Sequence, residues 1–214
     1  MLEKRQAFGR SWAVPKQDYW GWQHPLQCWD NFFRLIQLYV PAERRHLCVQ
    51  AGGCFGLYPQ LLRQYFSRVL TFEPDDLNFT AIEANTTGVE AHKMALGDKA
   101  RQVGIHRPFD ANCGNHHVVQ WAEDMQSASP LEGTIEMRSL DSFELPALDA
   151  LLLDAEASEP LIITGARETI ARCRPALITA ETVTSGMSDE LRGLGYTLQP
   201  KIAEDWHFLC SRYS

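Results

Sequence analysis

No stretch of the 214-residue chain nears the roughly 20 consecutive apolar residues that a membrane-spanning helix needs, so no membrane partner is expected. The opening residues, MLEKRQAFGRSW, lack the apolar centre of a secretory signal, and a cytoplasmic location is the expectation. The six cysteines are Cys28, Cys48, Cys54, Cys113, Cys173 and Cys210, and no two form a C-x-x-C pair. Scattered thiols in a chain of this length read as reduced, and no metal is expected. Positive charge is also scarce: 20 Lys and Arg stand against 27 Asp and Glu, a net charge of −7. That balance disfavours a sequence-independent grip on nucleic acid phosphates. Internal repeats and low-complexity segments are missing. What remains, 45% hydrophobic and 22% charged residues, is the composition of one globular unit with a proper core.

Residues 1–40 differ from the rest. Trp12, Trp20, Trp22 and Trp29 are interrupted by Pro15, Gly21 and Pro25, which predicts an irregular strap followed by a helix over Asp30–Tyr39. Residues 41–214 then alternate. HLCVQA, RVLTFE, VEAHKMA, LDALLLD and PALITAE read as strands. Helices are expected over Leu57–Phe66, Asp75–Asn85, Glu159–Arg172 and Ser188–Leu194, with Asp75 as a cap. VGIHR, HVVQW and TIEMR suggest an inserted antiparallel stretch, and GYTLQ with WHFLCSR a final hairpin. The alternation implies an α/β fold, a mostly parallel sheet with helices on both faces.

Glycine is concentrated where the first of these strands turns into a helix, in CVQAGGCFGLYP. Gly52, Gly53 and Gly56 allow positive φ and a close backbone approach, as a tight turn or a ligand would require. The next strand ends in Glu73, 21 residues after Gly52, followed by Pro74. A carboxylate about 20 residues past a glycine loop suits the two hydroxyls of a ribose. The spacing is G-G-x-x-G and not G-x-G-x-x-G, which favours a cofactor with one nucleoside, S-adenosylmethionine, over a dinucleotide such as NAD.

Six segments, Cys48–Gly56, VLTFEP, KMALGDK, SLDSF, LLLDAEASEPLIITGA and RPALITAE, occur in the order found in FkbM-type methyltransferases, and the chain resembles that family from Pro15 to Tyr196. The resemblance implies the class I methyltransferase fold, a Rossmann-like sheet of seven strands with an antiparallel last hairpin. It implies that Gly52, Gly53, Cys54 and Gly56 surround the methionine part of S-adenosylmethionine, and that Glu73 binds the ribose. It places Met94 and Ala95 by the adenine, and Asp154 facing the sulfonium and the acceptor. The acceptor it implies is a hydroxyl on a sugar or other small metabolite. Four departures stand out: Gln50 stands where the family has an acid in the first strand, Cys54 where it has asparagine, Leu152 replaces the lysine of its K-I-D-V-E-G, and Ala157 replaces its glycine.

Methyl transfer to a hydroxyl needs alignment and a base. Asp154 and Glu156 share a side of an extended segment, so either suits the base, while helix capping is the structural alternative for Glu156. His116 or its neighbour His117, in NCGNHHVV, is a further candidate base, only one of which can face a site from a strand, and an ordinary hairpin histidine is the competing reading. A non-catalytic cofactor-binding protein on the same scaffold is the alternative function.

Overall fold

The computed structural model describes residues 1–106, 112–114, 116–119, 134–202 and 205–211. Arg107, Asn115, Gln120, Trp121 and Arg212 of the segments read above lie outside these, as do the side chains of Cys28, Trp29, Asn31, Phe32, His117 and Val119.

The first residues form a hairpin, not an irregular strap. β1 (Leu2–Ala7) pairs antiparallel with β2 (Arg10–Pro15), and Phe8 and Gly9 turn between them with φ of 50° and 71°. Trp12 and Val14 point inward and are fully buried. α1 starts at Trp20 and runs to Tyr39, ten residues earlier than the pattern predicts. Pro25 does not end it. Proline removes one N–H from the helical ladder, but burial of Trp22, Phe33, Leu35 and Ile36 against the domain outweighs that loss.

The central sheet contains β3 (Leu47–Ala51), β4 (Arg68–Phe72), β5 (Glu90–His92), β10 (Ala150–Leu153), β11 (Leu177–Ala180), β12 (Tyr196–Ile202) and β13 (Asp205–Cys210). Its order is β12-β13-β11-β10-β3-β4-β5, with β13 antiparallel to both neighbours and the other pairs parallel. Side chains alternate across it as strand geometry requires. Leu47, Val49, Ala51, Leu151 and Leu153 pack with α4 (Glu159–Thr164), α5 (Arg167–Cys173) and α6 (Ser185–Gly193). Cys48, Val69, Ala150, Leu152 and Leu177 pack on the other face with α1, α2 (Leu57–Leu62) and residues of α3 (Asp76–Asn85).

The segment read as one strand, VEAHKMA, splits. β5 ends at His92, and β6 (Ala95–Leu96) joins a second sheet with β7 (Arg101–His106), β8 (His117–Val119) and β9 (Ile135–Arg138). Its order is β6-β9-β7-β8, antiparallel except for β6 with β9. The helix expected over Glu159–Arg172 is two, parted at Gly165, where a Cβ would lie 1.9 Å from the Gly97 carbonyl oxygen. The helix expected to Phe66 stops at Leu62, and α6 begins three residues early, where Thr184 accepts the Met187 N–H.

Candidate functional site

From β3 the chain crosses to β4 on one side, and β10 lies on the other, with Ala51 opposite Leu153. The order of the sheet therefore reverses between β3 and β10, and the loops after these two strands diverge at their carboxyl ends. Open α/β sheets bind ligands at that place.

The loops touch. Gly52 has φ of +88°, and a Cβ on it would fall 1.7 Å from the Asp154 carbonyl oxygen. Gly53 lies equally close to α3 and β4, where a Cβ would meet Ile82 and Thr71 at 2.6 and 2.7 Å. Gly56, also at +88°, sits at the N-terminus of α2 against Thr86 and Ile82. The glycines are thus packing requirements at a crossing of three elements. Three residues without glycine's freedom also hold left-handed backbone in these loops: Cys54, Glu156 and Ala157, at φ of 45°, 49° and 69°. Such strain persists only where the surroundings enforce it, and it collects at functional sites.

Two cavities flank this crossing. The smaller, about 60 Å³, is bordered by Gly52, Cys54, Glu73, Met94, Ala95 and Asp154 among others. The larger, about 380 Å³, lies between α1 and the sheet, under Trp20, Pro25, Gln50, Tyr58, Leu152 and Thr179. Gly52, Cys54, Gly114, Asp154 and Glu156 border both. The sequence candidates Gly53 and Gly56 separate here: Gly53 borders the larger cavity, and Gly56 borders neither.

Glu73 is almost wholly buried at the end of β4. Its Oε2 accepts the Cys54 N–H at 2.7 Å and its Oε1 accepts the Asp75 N–H at 2.9 Å. Burial pushes its carboxyl up to about 8, against the pull of those two N–H donors. Asp75 caps α3 by accepting from the Leu77 and Asn78 N–H groups. His116 borders the smaller cavity with Nδ1 3.4 Å from Asp75 Oδ2. It is therefore held at the Glu73 end.

Carboxylates gather at the shared wall. Asp154, Glu156 and Glu181 each offer an oxygen within 4.8 Å of the others, and Asp205 borders the larger cavity with them. Asp154 is exposed on the side that borders the cavities, while the surrounding protein shields its carboxyl from bulk water. That enclosure first, and then the Glu181 and Asp205 charges, push its carboxyl well up. Burial, with Glu181 and Glu159, raises Glu156 to about 7. Three oxygens this close can share a proton with an incoming hydroxyl or hold a cation jointly. Sequence reasoning missed Glu181 and Asp205. Glu181 carries the same signal as Asp154, an apolar strand ending in an acid. Asp205 has none, because only the return of the last hairpin brings it here.

No family model matches the chain, and a search of curated proteins finds no relative. Solved structures do share the fold. A methyltransferase FkbM from Methylobacillus flagellatus KT superposes with a TM-score of 0.51 at 15% identity, over 89% of this chain and 60% of that one. A human methyltransferase 10 domain containing protein gives 0.50 at 12% identity, over 88% and 83%. A precorrin-6y C5,15-methyltransferase from Geobacter metallireducens gives 0.50 at 10% identity, over 92% of each chain. The fold is the Rossmann-like fold of these methyltransferases, and the chain spans three fifths of the length of the FkbM protein it resembles.

Proposed function

We propose that the protein is an S-adenosylmethionine-dependent methyltransferase of FkbM type, acting on a hydroxyl of a sugar or other small metabolite. The observation that carries this reading is the pair of cavities meeting at Gly52 and Asp154, one sized for part of a cofactor and one open for an acceptor. The residues fit the cofactor. Glu73, held by the Cys54 and Asp75 N–H groups and in contact with the Asn78 side chain, borders the smaller cavity, where its carboxyl can accept from a ribose hydroxyl. Met94, Ala95 and Leu96 provide an apolar wall for a base, and Gly52, which borders both cavities, lies where the methionine part would pass. Bound there, S-adenosylmethionine supplies an electrophilic methyl group.

The chain's own residues supply alignment and proton transfer. Asp154 stands between the cavities and takes the acceptor's hydroxyl proton, and Glu156 and Glu181 position that hydroxyl. Among the described residues that border the larger cavity there is no Lys or Arg, so a neutral acceptor suits it better than a phosphorylated one. Residues 1–40 serve as a cover, with Trp20 at the mouth. Among the described residues no helix is long and apolar enough to cross a membrane.

Asp154→Asn tests the assignment. Turnover should fall at least 100-fold while S-adenosylhomocysteine still binds, the usual scale for a positioned acid or base. Full activity removes Asp154 as the base. One observation favours the non-catalytic alternative: Leu152 is a fully buried apolar residue where the resemblance expects lysine. Cofactor bound stoichiometrically, with no transfer to any hydroxylated acceptor, would decide for it.

A further inference from the structure

The methyl transfer proposed above makes no use of sulfur from the protein, yet two thiols meet at the wall of the cavities. Cys54 and Cys113 are 59 residues apart in sequence, and their sulfurs are 3.2 Å apart. Both are held from the backbone. The Cys54 N–H is bound to Glu73, and the residue holds a left-handed φ of 45° within the glycine loop. The Cys113 N–H donates to Asp18 Oδ1 at 2.9 Å, and its carbonyl accepts from Asn78 Nδ2 at 2.8 Å. Gly21 leaves the space that the Cys113 sulfur occupies: a Cβ there would come within 2.9 Å of it. Cys48 and Cys210 are sealed in the sheet, whereas Cys54 is half-buried and borders both cavities.

We propose that Cys54 and Cys113 form a dithiol modification site, which a small disulfide such as oxidised glutathione converts to an intramolecular disulfide at the cavity wall. Cys54, the more accessible, attacks one sulfur of the small disulfide. A mixed disulfide forms, and the first small thiol departs with the Cys54 proton. The Cys113 sulfur then attacks Cys54, and the second small thiol departs with the Cys113 proton. Two protein thiols are oxidised and one disulfide is reduced to two thiols, so electrons and protons balance. The thiol contact with Cys113, followed by burial, pushes the Cys54 thiol well up, which keeps the first attack slow. The second step is intramolecular between groups already in contact, and proximity favours it. Closing the bond brings the sulfurs from 3.2 Å to about 2.05 Å. Because the same residue's N–H anchors Glu73, the disulfide disturbs the cofactor wall. This consequence, unlike the disulfide itself, rests on the proposed cofactor site.

The test treats the full chain with oxidised glutathione, alkylates remaining thiols and maps peptides by mass spectrometry. A linked peptide pair containing Cys54 and Cys113, lighter by two hydrogens and restored by dithiothreitol, is the expected result. Cys113→Ser should instead stop at a glutathione adduct on Cys54. Both cysteines fully alkylated, or linkage to other cysteines, overturns the proposal. S-adenosylhomocysteine titrated into the reduced and oxidised forms reads the consequence: affinity should drop at least tenfold on oxidation. Equal binding to the two forms overturns the control of the cofactor site. Failure to bind either form removes the cofactor reading and leaves the disulfide result standing.

Discussion

Glu73 is an acid held above its ordinary range, and this fixes the sign of its pH effects. Between about 4.5 and about 8 the folded chain keeps a proton there that the unfolded chain has released. Unfolding free energy should therefore fall as pH rises across that window and level off above it. A ligand whose hydroxyls donate to the carboxylate favours the ionised form. Cofactor affinity should then rise with pH up to about 8, and binding should release a proton, read by calorimetry in buffers of different ionisation enthalpy. Glu73→Gln should flatten both trends, and unchanged trends remove Glu73 as their source. Glu73→Ala should weaken binding by ~1.5–3 kcal/mol, the range for hydrogen bonds to a charged group. Gly52→Ala is the matching test of the loop. Its Cβ would meet the Asp154 carbonyl at 1.7 Å and its φ is left-handed, so a loss of about 3 kcal/mol or more in denaturant unfolding is expected. At this scale the sequence shows Gly52, Glu73 and Asp154 because each stands at a strand end, a position that patterning reveals. It hides why Gly52 must be glycine, since the obstructing atom lies 102 residues away in the chain.

Elements are legible where one periodicity runs unbroken, as in β3, β4, β10 and β11. They are illegible where a partner distant in sequence decides. The hairpin of β1 and β2 is one such case. Asn85, at the end of α3, donates from Nδ2 to the Ala13 and Phe55 carbonyls and accepts the Ala13 N–H, all at 2.7 Å. One buried amide thus ties the edge of the hairpin to α3 and to the glycine loop. Asn85→Ala should cost about 1–3 kcal/mol, the cost of leaving buried backbone groups unpaired. A change under about 0.5 kcal/mol in chemical denaturation would mean that the hairpin docks by apolar contact alone. α1 teaches the same lesson. Proline and glycine in WGWQHP signal a break, but the apolar side packs so well against α2 and the sheet that the helix continues through them. VEAHKMA fails for the opposite reason, since its two halves are both extended and only their partners distinguish them.

At the scale of the whole molecule, topology makes the site. The reversal of strand order between β3 and β10 separates their loops, and the second sheet and α1 close the two sides of the opening. The alternation of strands and helices reveals this much before any coordinates, because it allows few arrangements of a parallel sheet. It does not reveal the cavity chemistry. Asp154, Glu156, Glu181 and Asp205 come from three separate strand ends, and only the folded chain shows that they face one space. The most direct measurement is calorimetric titration of the purified protein with S-adenosylmethionine and, separately, with S-adenosylhomocysteine. One equivalent bound, with affinity rising toward pH 8, is the expected result. No heat and no protection from thermal unfolding with either compound would contradict the cofactor site and leave the glycine loop as a packing corner.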